Sequence, residues 1–348
     1  MLFKEEHMQA LMYLGPRKIE IQDVAEPEVT DGQVIVKVGA ASICGSDLHG
    51  FLGNSAKRVP PMIMGHEFTG NIIELGGGVN QLGIGDRVTI NPILSCNRCD
   101  LCLAGRTSIC PFRTVIGIEH PGAFANYVSV PAEACFKIPD NLGNLEGSMV
   151  ESLSNALHIF ERSLNGFIQS VAVIGAGTQG LLALQVARHI GASRIAITDM
   201  VPSRLTLANK LGATHPINVT EINPVDAVLD MTDGKGVDLV VEAVGHAATQ
   251  EQSIKMLRYG GEAVLLGLGA EQPMAIDGVE VVNKELMIRG SYAYTSLDFA
   301  HSLDLISTEK IDVSSMVIAK NLEDGPIIFE KLVDDPDDLI KVALIPNN

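Results

Sequence analysis

The sequence predicts an α/β chain in two parts, a β-rich region and a doubly wound parallel sheet. Three observations predict it. Between Ile19 and about Pro139 the apolar residues fall in short or alternating runs broken by glycine and proline, with no long helical period. From Ser170 onward strand-like and helix-like patterns alternate, the order of a sheet built from crossover units. A glycine loop, Gly175-Ala176-Gly177-Thr178-Gln179-Gly180, stands where the first of those strands meets the first of those helices.

Taken in order, residues 1–7 read as a tail, and Met8 as the start of a domain, because Gln9 to Tyr13 form a short apolar strand that turns at Gly15-Pro16. Gln33 to Val38 alternates, Phe68 to Leu75 is apolar and β-branched, and Gly85 to Ile90 restarts after a turn. Tyr127 to Val130 and Ala134 to Ile138 complete an irregular β barrel or sandwich. The texture changes after Asn144. Glu146 to Leu164 reads as one helix; Val171 to Ile174, Arg194 to Thr198, Val237 to Val241, Ala263 to Leu266 and Glu285 to Ile288 read as strands. Gln179 to Ile190 and Pro202 to Leu211 read as the helices between them.

At 348 residues with 46% hydrophobic content, the chain has enough material for two cores. Its longest apolar runs are strand-length, far below the roughly 18 residues of a membrane span. Met1 to Met8 carries Lys4, Glu5, Glu6 and His7 and lacks the apolar core of a secretory signal, so the expectation is a cytoplasmic protein. Forty-two acidic against 25 basic side chains give a net charge of −17, which disfavours nucleic acid and anionic membrane as partners. The acidic patch from Asp334 to Asp338 reads as a solvated turn.

Cysteine spacing carries the first chemical signal. Cys96, Cys99, Cys102 and Cys110 form C-x2-C-x2-C-x7-C, the pattern of a closed tetrahedral zinc site, with an iron–sulfur cluster as the chemical competitor. Such spacing argues for metal in a reducing compartment rather than for disulfides. Cys135 is left over, as strand packing. A second set lies between Cys44 and Glu67. A thiolate, the His66 imidazole and a carboxylate from neighbouring loops make a mixed sulfur, nitrogen and oxygen site that suits zinc with one position open. Cys44 and His66 are the firm ligands, and Glu67 or Glu151 supplies the third. Glu151, Asn155 and His158 share one helix face. Zinc there lowers the pKa of a substrate hydroxyl so that its carbon can release hydride. Ser46 and His49, two and five residues after Cys44, offer a hydroxyl and an imidazole to move the proton.

The glycine loop has the strand and helix context that a dinucleotide pyrophosphate needs: close backbone approach at Gly175, Gly177 and Gly180, and free N–H groups at a helix N-terminus formed by Thr178 and Gln179. Asp199, ending the next strand, can hold the adenosine ribose hydroxyls and repel a 2′-phosphate. That favours NAD over NADP. Arg204, the residue able to accommodate a 2′-phosphate, is expected beside the adenine.

With these residues together, the chain resembles the zinc-dependent medium-chain dehydrogenases of the alcohol dehydrogenase superfamily, from Met8 to the Lys341 to Pro346 tail. The resemblance implies a GroES-like catalytic domain over 1–150 and 295–348, with a structural zinc lobe at about 91–112, and a Rossmann domain over 151–294. It implies two zincs per chain, an active site in the cleft between the domains, a proton relay through Ser46, the cofactor ribose and His49, and a homodimer or homotetramer built through Rossmann edge strands. Val244, Leu266 and Tyr292 join the cofactor-binding positions on the same basis. Glu67 after His66, with Glu151 where ordinary alcohol dehydrogenases carry cysteine, is similar to the polyol branch, which oxidises a secondary alcohol to a ketone.

Two departures stand out within that branch: Ser152 replaces a proline of the sorbitol type, and Ala293 replaces a substrate-binding arginine before Tyr294. Tyr292, Tyr294 and His120 are candidates for the substrate wall. A threonine or amino-alcohol dehydrogenase, and a relative that binds cofactor without catalysis, are the alternative readings.

Overall fold

The structure, a computed structural model, describes residues 7–163, 166–269, 273–336 and 338–347. The tail residues before His7, Leu164 at the end of the expected helix, and Asp337 within the acidic patch lie outside the described residues. Two compact units form: Met1–Glu151 with Thr295–Glu309 and Val313–Asn348, and Ser152–Tyr294 with Lys310–Asp312.

In the first unit, strand Gln33–Ser42 is the hub. Its alternating side chains pair antiparallel with Glu67–Leu75 on one side, with Tyr127–Pro131 along part of its length, and with Lys341–Ile345 at its end. Arg87–Ile90 and Cys135–Lys137 extend the sheet beyond Glu67–Leu75, and Val317–Asn321 extends it beyond the C-terminal strand. Leu11, Val36, Phe68, Phe124 and Phe329 are core residues of this unit. Phe329 meets Phe51 and Phe124 edge-on, with centroids 5.4 and 5.8 Å apart, a geometry that matches positive ring edge to negative ring face.

The second unit is a six-stranded, wholly parallel sheet. Its order runs His215–Asn218, Arg194–Asp199, Ser170–Ile174, Val237–Glu242, Leu257–Leu265, Met287–Gly290. Chain order reverses between Ser170–Ile174 and Val237–Glu242, and the strand ends at that reversal are where a crevice for a ligand opens. Lys310–Asp312 belongs to this unit because the Gln185 side chain bonds the Asp312 backbone twice, as donor and as acceptor, each at 2.8 Å.

Several elements differ from expectation. Glu146 to Leu164 is not one helix but two, Asn144–Gly147 and Val150–Glu161. The break falls at Ser148, whose hydroxyl donates back to the Leu145 carbonyl at 2.7 Å and competes with helix continuation. Residues 45–51 form a helix, Gly45–Phe51, rather than a loop. Strand Leu257–Leu265 begins six residues before Ala263, because a register shift opposite Val237 and Leu239 absorbs Gly260 and Gly261. The last strand of the parallel sheet is Met287–Gly290 rather than Glu285 to Ile288. Asp334 ends helix Gly325–Asp334 and is ion-paired with Arg17 at 2.7 Å, so that part of the acidic patch is not simply a solvated turn.

Candidate active site

The mixed-ligand site is assembled by three adjacent strand ends of the first unit. Ser42, at the end of the hub strand, is the register partner of Glu67, the first residue of its neighbour. On the other side the C-terminal strand pairs through Ala343 with Ser42, and the Ile43 N–H donates to the Val342 carbonyl at 2.8 Å. Cys44, Glu67 and Lys341 are therefore brought side by side by sheet register.

Cys44 then caps helix Gly45–Phe51, and the Asp47 carboxylate turns back to accept the Cys44 N–H at 3.1 Å. Such a box satisfies a backbone donor that the first helical turn leaves orphaned. Asp47 is fully buried. Its Oδ1 also accepts from Arg58 at 3.0 Å and lies 3.3 Å from His66 Nδ1, which leaves His66 Nε2 for a metal. Burial opposes ionisation of Asp47, but His66, Arg58 and the Cys44 N–H outweigh it and hold the carboxyl well below the usual range. On His66 burial again opposes the charge, and Asp47 with Cys44 outweighs it, raising the ring's pKa well above its ordinary value.

Cys44, His66 and Glu67 each offer a ligand atom, and these atoms all lie within 4.8 Å of one another. Glu151 is not part of that group. It opens helix Val150–Glu161, is 7% exposed, and its charge acts on the Lys341 ammonium together with those of Glu67 and Cys44. Burial works against a charge on Lys341, and these three acidic groups more than offset it.

Cys96, Cys99, Cys102 and Cys110 form the second group within the same 4.8 Å limit. Four thiolates about 2.3 Å from one zinc stand about 3.8 Å apart. The observed sulfur separations of 3.5 Å (Cys96 to Cys110), 3.8 Å (Cys99 to Cys110) and 4.0 Å (Cys96 to Cys102) fit that tetrahedron. The backbone N–H of Arg98, with those of neighbouring groups, brings Cys96 down to about 6, while burial and adjacent thiols push Cys102 up to about 12.

In the second unit, the expected cofactor positions gather at the carboxyl ends of the parallel strands. Gly175 follows Ser170–Ile174, Asp199 ends Arg194–Asp199, Val244 follows Val237–Glu242, Leu266 follows Leu257–Leu265 and Tyr292 follows Met287–Gly290. A Cβ on Gly180 would stand 1.8 Å from the Gly175 carbonyl oxygen, so the loop closes onto helix Thr178–His189 only with glycine there. Asp199 accepts the Ala176 N–H at 2.7 Å and the Val201 N–H at 2.9 Å, which fixes its carboxylate against the glycine loop. Gln179 donates to the Ser152 carbonyl at 3.2 Å, and Arg204 lies in helix Pro202–Leu211. This geometry fits a dinucleotide: a loop without side chains, a helix N-terminus and a fixed carboxylate.

Ser46 and His49 lie three residues apart on helix Gly45–Phe51, and thus on one face of it. The three substrate-wall candidates lie in different surroundings. His120 bonds the Thr114 hydroxyl at 2.9 Å and lines a separate cavity of about 210 Å³ with Met8, Glu28, Ile63 and Tyr127, whose walls include none of the zinc-ligand candidates. Tyr294 is buried, 1% exposed, whereas Tyr292 is 43% exposed. Asp47, Arg58 and Lys341 went unread in the sequence. Asp47 had a local signal, an acid three residues after Cys44 at a helix start; Arg58 and Lys341 had none.

Two family models match the chain, the alcohol dehydrogenase GroES-like domain over residues 30–140 and the zinc-binding dehydrogenase domain over 180–308. Sorbitol dehydrogenase of Bacillus subtilis is 31% identical over 350 residues, covering 98% of this chain and 98% of that relative. L-threonine 3-dehydrogenase of Pectobacterium atrosepticum is 34% identical over 314 residues, 89% of this chain and 86% of that one. Among solved structures, a putative zinc-binding dehydrogenase from Sinorhizobium meliloti bound to NADP superposes with a TM-score of 0.91 at 32% identity, over 98% of this chain and 100% of that chain. The chain belongs to the zinc-dependent medium-chain dehydrogenases of the alcohol dehydrogenase superfamily. It is an oxidoreductase of the zinc-binding dehydrogenase family.

Proposed function

We propose that this enzyme oxidises the secondary hydroxyl of a polyol, sugar alcohol or similar secondary alcohol to a ketone, reversibly, with NAD as hydride acceptor and two zincs per chain. The observation that carries the reading is the Cys44, His66 and Glu67 group, mixed in donor type and short of one ligand, in the same unit as a closed four-cysteine group. Zinc held at the first group supplies Lewis-acid polarisation of a hydroxyl oxygen, and bound NAD supplies the hydride acceptor. Ser46 accepts the hydroxyl proton while passing its own onward, and His49 on the same helix face carries it to solvent. Asp47, 3.3 Å from His66 Nδ1, sets a negative charge against that side of the ring and leaves Nε2 for the metal. Cys96, Cys99, Cys102 and Cys110 hold a structural zinc that shapes their lobe. Asp199 supports NAD, because a fixed carboxylate at the ribose position repels a 2′-phosphate.

A homodimer or homotetramer is the assembly we favour. Its support is the edge strand Met287–Gly290 beside helix Gly278–Asn283, where Val279 and Val282 are exposed.

The test is nicotinamide reduction, followed by absorbance, with NAD or NADP and a panel of free polyols, sugar-alcohol phosphates, simple secondary alcohols and threonine. Activity with hydroxyl-only substrates supports the proposal. Activity confined to threonine replaces it with the amino-alcohol reading, which the threonine dehydrogenase likeness favours. Silence across the panel, with one zinc per chain instead of two, points to a cofactor-binding relative without catalysis.

A further inference from the structure

Arg58 is 6% exposed and comes from the segment between helix Gly45–Phe51 and strand Met62–Ile63. One of its terminal nitrogens, Nη2, makes two bonds, to the Ser46 hydroxyl at 3.1 Å and to Asp47 Oδ1 at 3.0 Å. Asp47 Oδ1 is the same oxygen that lies 3.3 Å from His66 Nδ1. A single nitrogen thus connects a residue on the helix after Cys44 with the carboxylate that lies against the His66 ring.

The fold makes room for this side chain. A Cβ on Gly50 would stand 2.1 Å from Arg58 Cδ, so the guanidinium stem crosses helix Gly45–Phe51 at a position that must be glycine. Arg58 Nε, meanwhile, is buried without a hydrogen-bond partner. An arginine placed only to neutralise Asp47 gains from using its fork fully, because a buried donor left unmade costs stability. Arg58 gives that up and spends its outer nitrogen on Ser46.

We propose that Arg58 is a positioning residue, which ties the Ser46 hydroxyl to Asp47 and through it to His66, so that proton acceptor and metal ligand are held as one unit. The inference rests on the reading of Ser46 as first proton acceptor. A serine oxygen has two lone pairs and one O–H. Arg58 donates to one lone pair, which leaves the other to take the substrate's proton and the O–H to hand a proton on. As the substrate O–H breaks, an O–H forms on Ser46 and the original Ser46 O–H breaks toward the next acceptor, so Ser46 ends neutral.

The experiment compares Ser46→Ala, Arg58→Ala and Arg58→Lys with wild type on the best substrate of the panel, together with zinc affinity by chelator competition. Arg58→Ala is expected to lower kcat about 100-fold with KM little changed, the scale of one lost acid–base contribution. The more weakly held of its two zincs should bind about tenfold less tightly, the usual cost of losing an outer partner of a metal ligand. Arg58→Lys keeps the charge on a shorter stem and should recover part of kcat. If Arg58→Ala does not fold, Arg58→Lys decides alone: it should fold and fall about tenfold in kcat. Wild-type kcat in a folded, zinc-loaded Arg58 variant, beside an inactive Ser46→Ala, overturns the proposal while the relay reading stands. Full activity in Ser46→Ala removes the relay reading itself, and this inference with it.

Discussion

Lys341 and Glu67 lie on the two strands that flank the end of hub strand Gln33–Ser42, with the ammonium against the carboxylate, and their side chains are only 3% and 0% exposed. The last strand of the chain thereby closes over a ligand candidate near its beginning. Removing one partner of such a pair strands a buried charge, which typically costs about 3 to 5 kcal/mol. Lys341→Met should therefore lower the urea stability of zinc-stripped protein by about that much, and Lys341→Met with Glu67→Gln should recover most of it. A single variant as stable as wild type would mean that Glu67 finds another partner when Lys341 is gone.

The two cysteine-containing groups share no ligand, so their metals should be separable. Cys44→Ser is expected to abolish turnover, by more than about 1,000-fold, and to retain one zinc per chain by elemental analysis. Cys102→Ala should lose the other zinc and unfold the lobe around Cys96 to Cys110, visible as new protease cleavage there. Loss of both metals from Cys44→Ser would mean that the lobes are misassigned.

Asp199 is anchored by two backbone N–H groups, so replacing it tests the ribose role and the loop together. Asp199→Gly should weaken NAD at least tenfold relative to NADP in a binding titration. An unchanged ratio contradicts the assignment.

Asp238 supplies a pH prediction away from either metal group. It accepts from the Gln169 and Ser170 N–H groups and the Ser170 hydroxyl, and pairs with Arg258 at 2.5 Å. Burial opposes its charge, and these donors outweigh burial, so its pKa is lowered. A carboxyl depressed on folding stabilises the protein above its unfolded pKa of about 3.9, and that contribution is lost as pH falls through the folded value. Asp238→Asn should thus cost about 2 kcal/mol at pH 7, the scale of hydrogen bonds to a charged group. The gap between the two urea midpoints should narrow once the pH drops below about 4; a constant gap would assign the cost to shape rather than charge.

The parts of the fold that were legible were those whose signal is local. The parallel sheet follows from runs such as Val171 to Ile174 and Leu239 to Val241, which are apolar on both faces, as strands covered on both sides are. The division of Glu146 to Leu164 was not legible, because a serine hydroxyl bonding its own helix leaves no mark in a hydrophobic period. Strand His215–Asn218 was missed for a related reason: four residues including His215, Pro216 and Asn218 carry little β signal, and the strand exists because Arg194–Asp199 offers it an edge.

By itself, the sequence determined the four-cysteine group, the glycine loop with Asp199, and the Cys44 to Glu67 constellation, since each is set by residue types at short spacing. Tertiary structure alone decided which charges surround them. Sheet register carries Lys341 onto Glu67, Gly50 lets Arg58 reach Ser46 and Asp47, and the same packing encloses Tyr294 and places His120 at another cavity. Spacing along a chain specifies what a loop can ligate. Contacts between distant segments arise only when the core closes, and here they fix the electrostatics of the site.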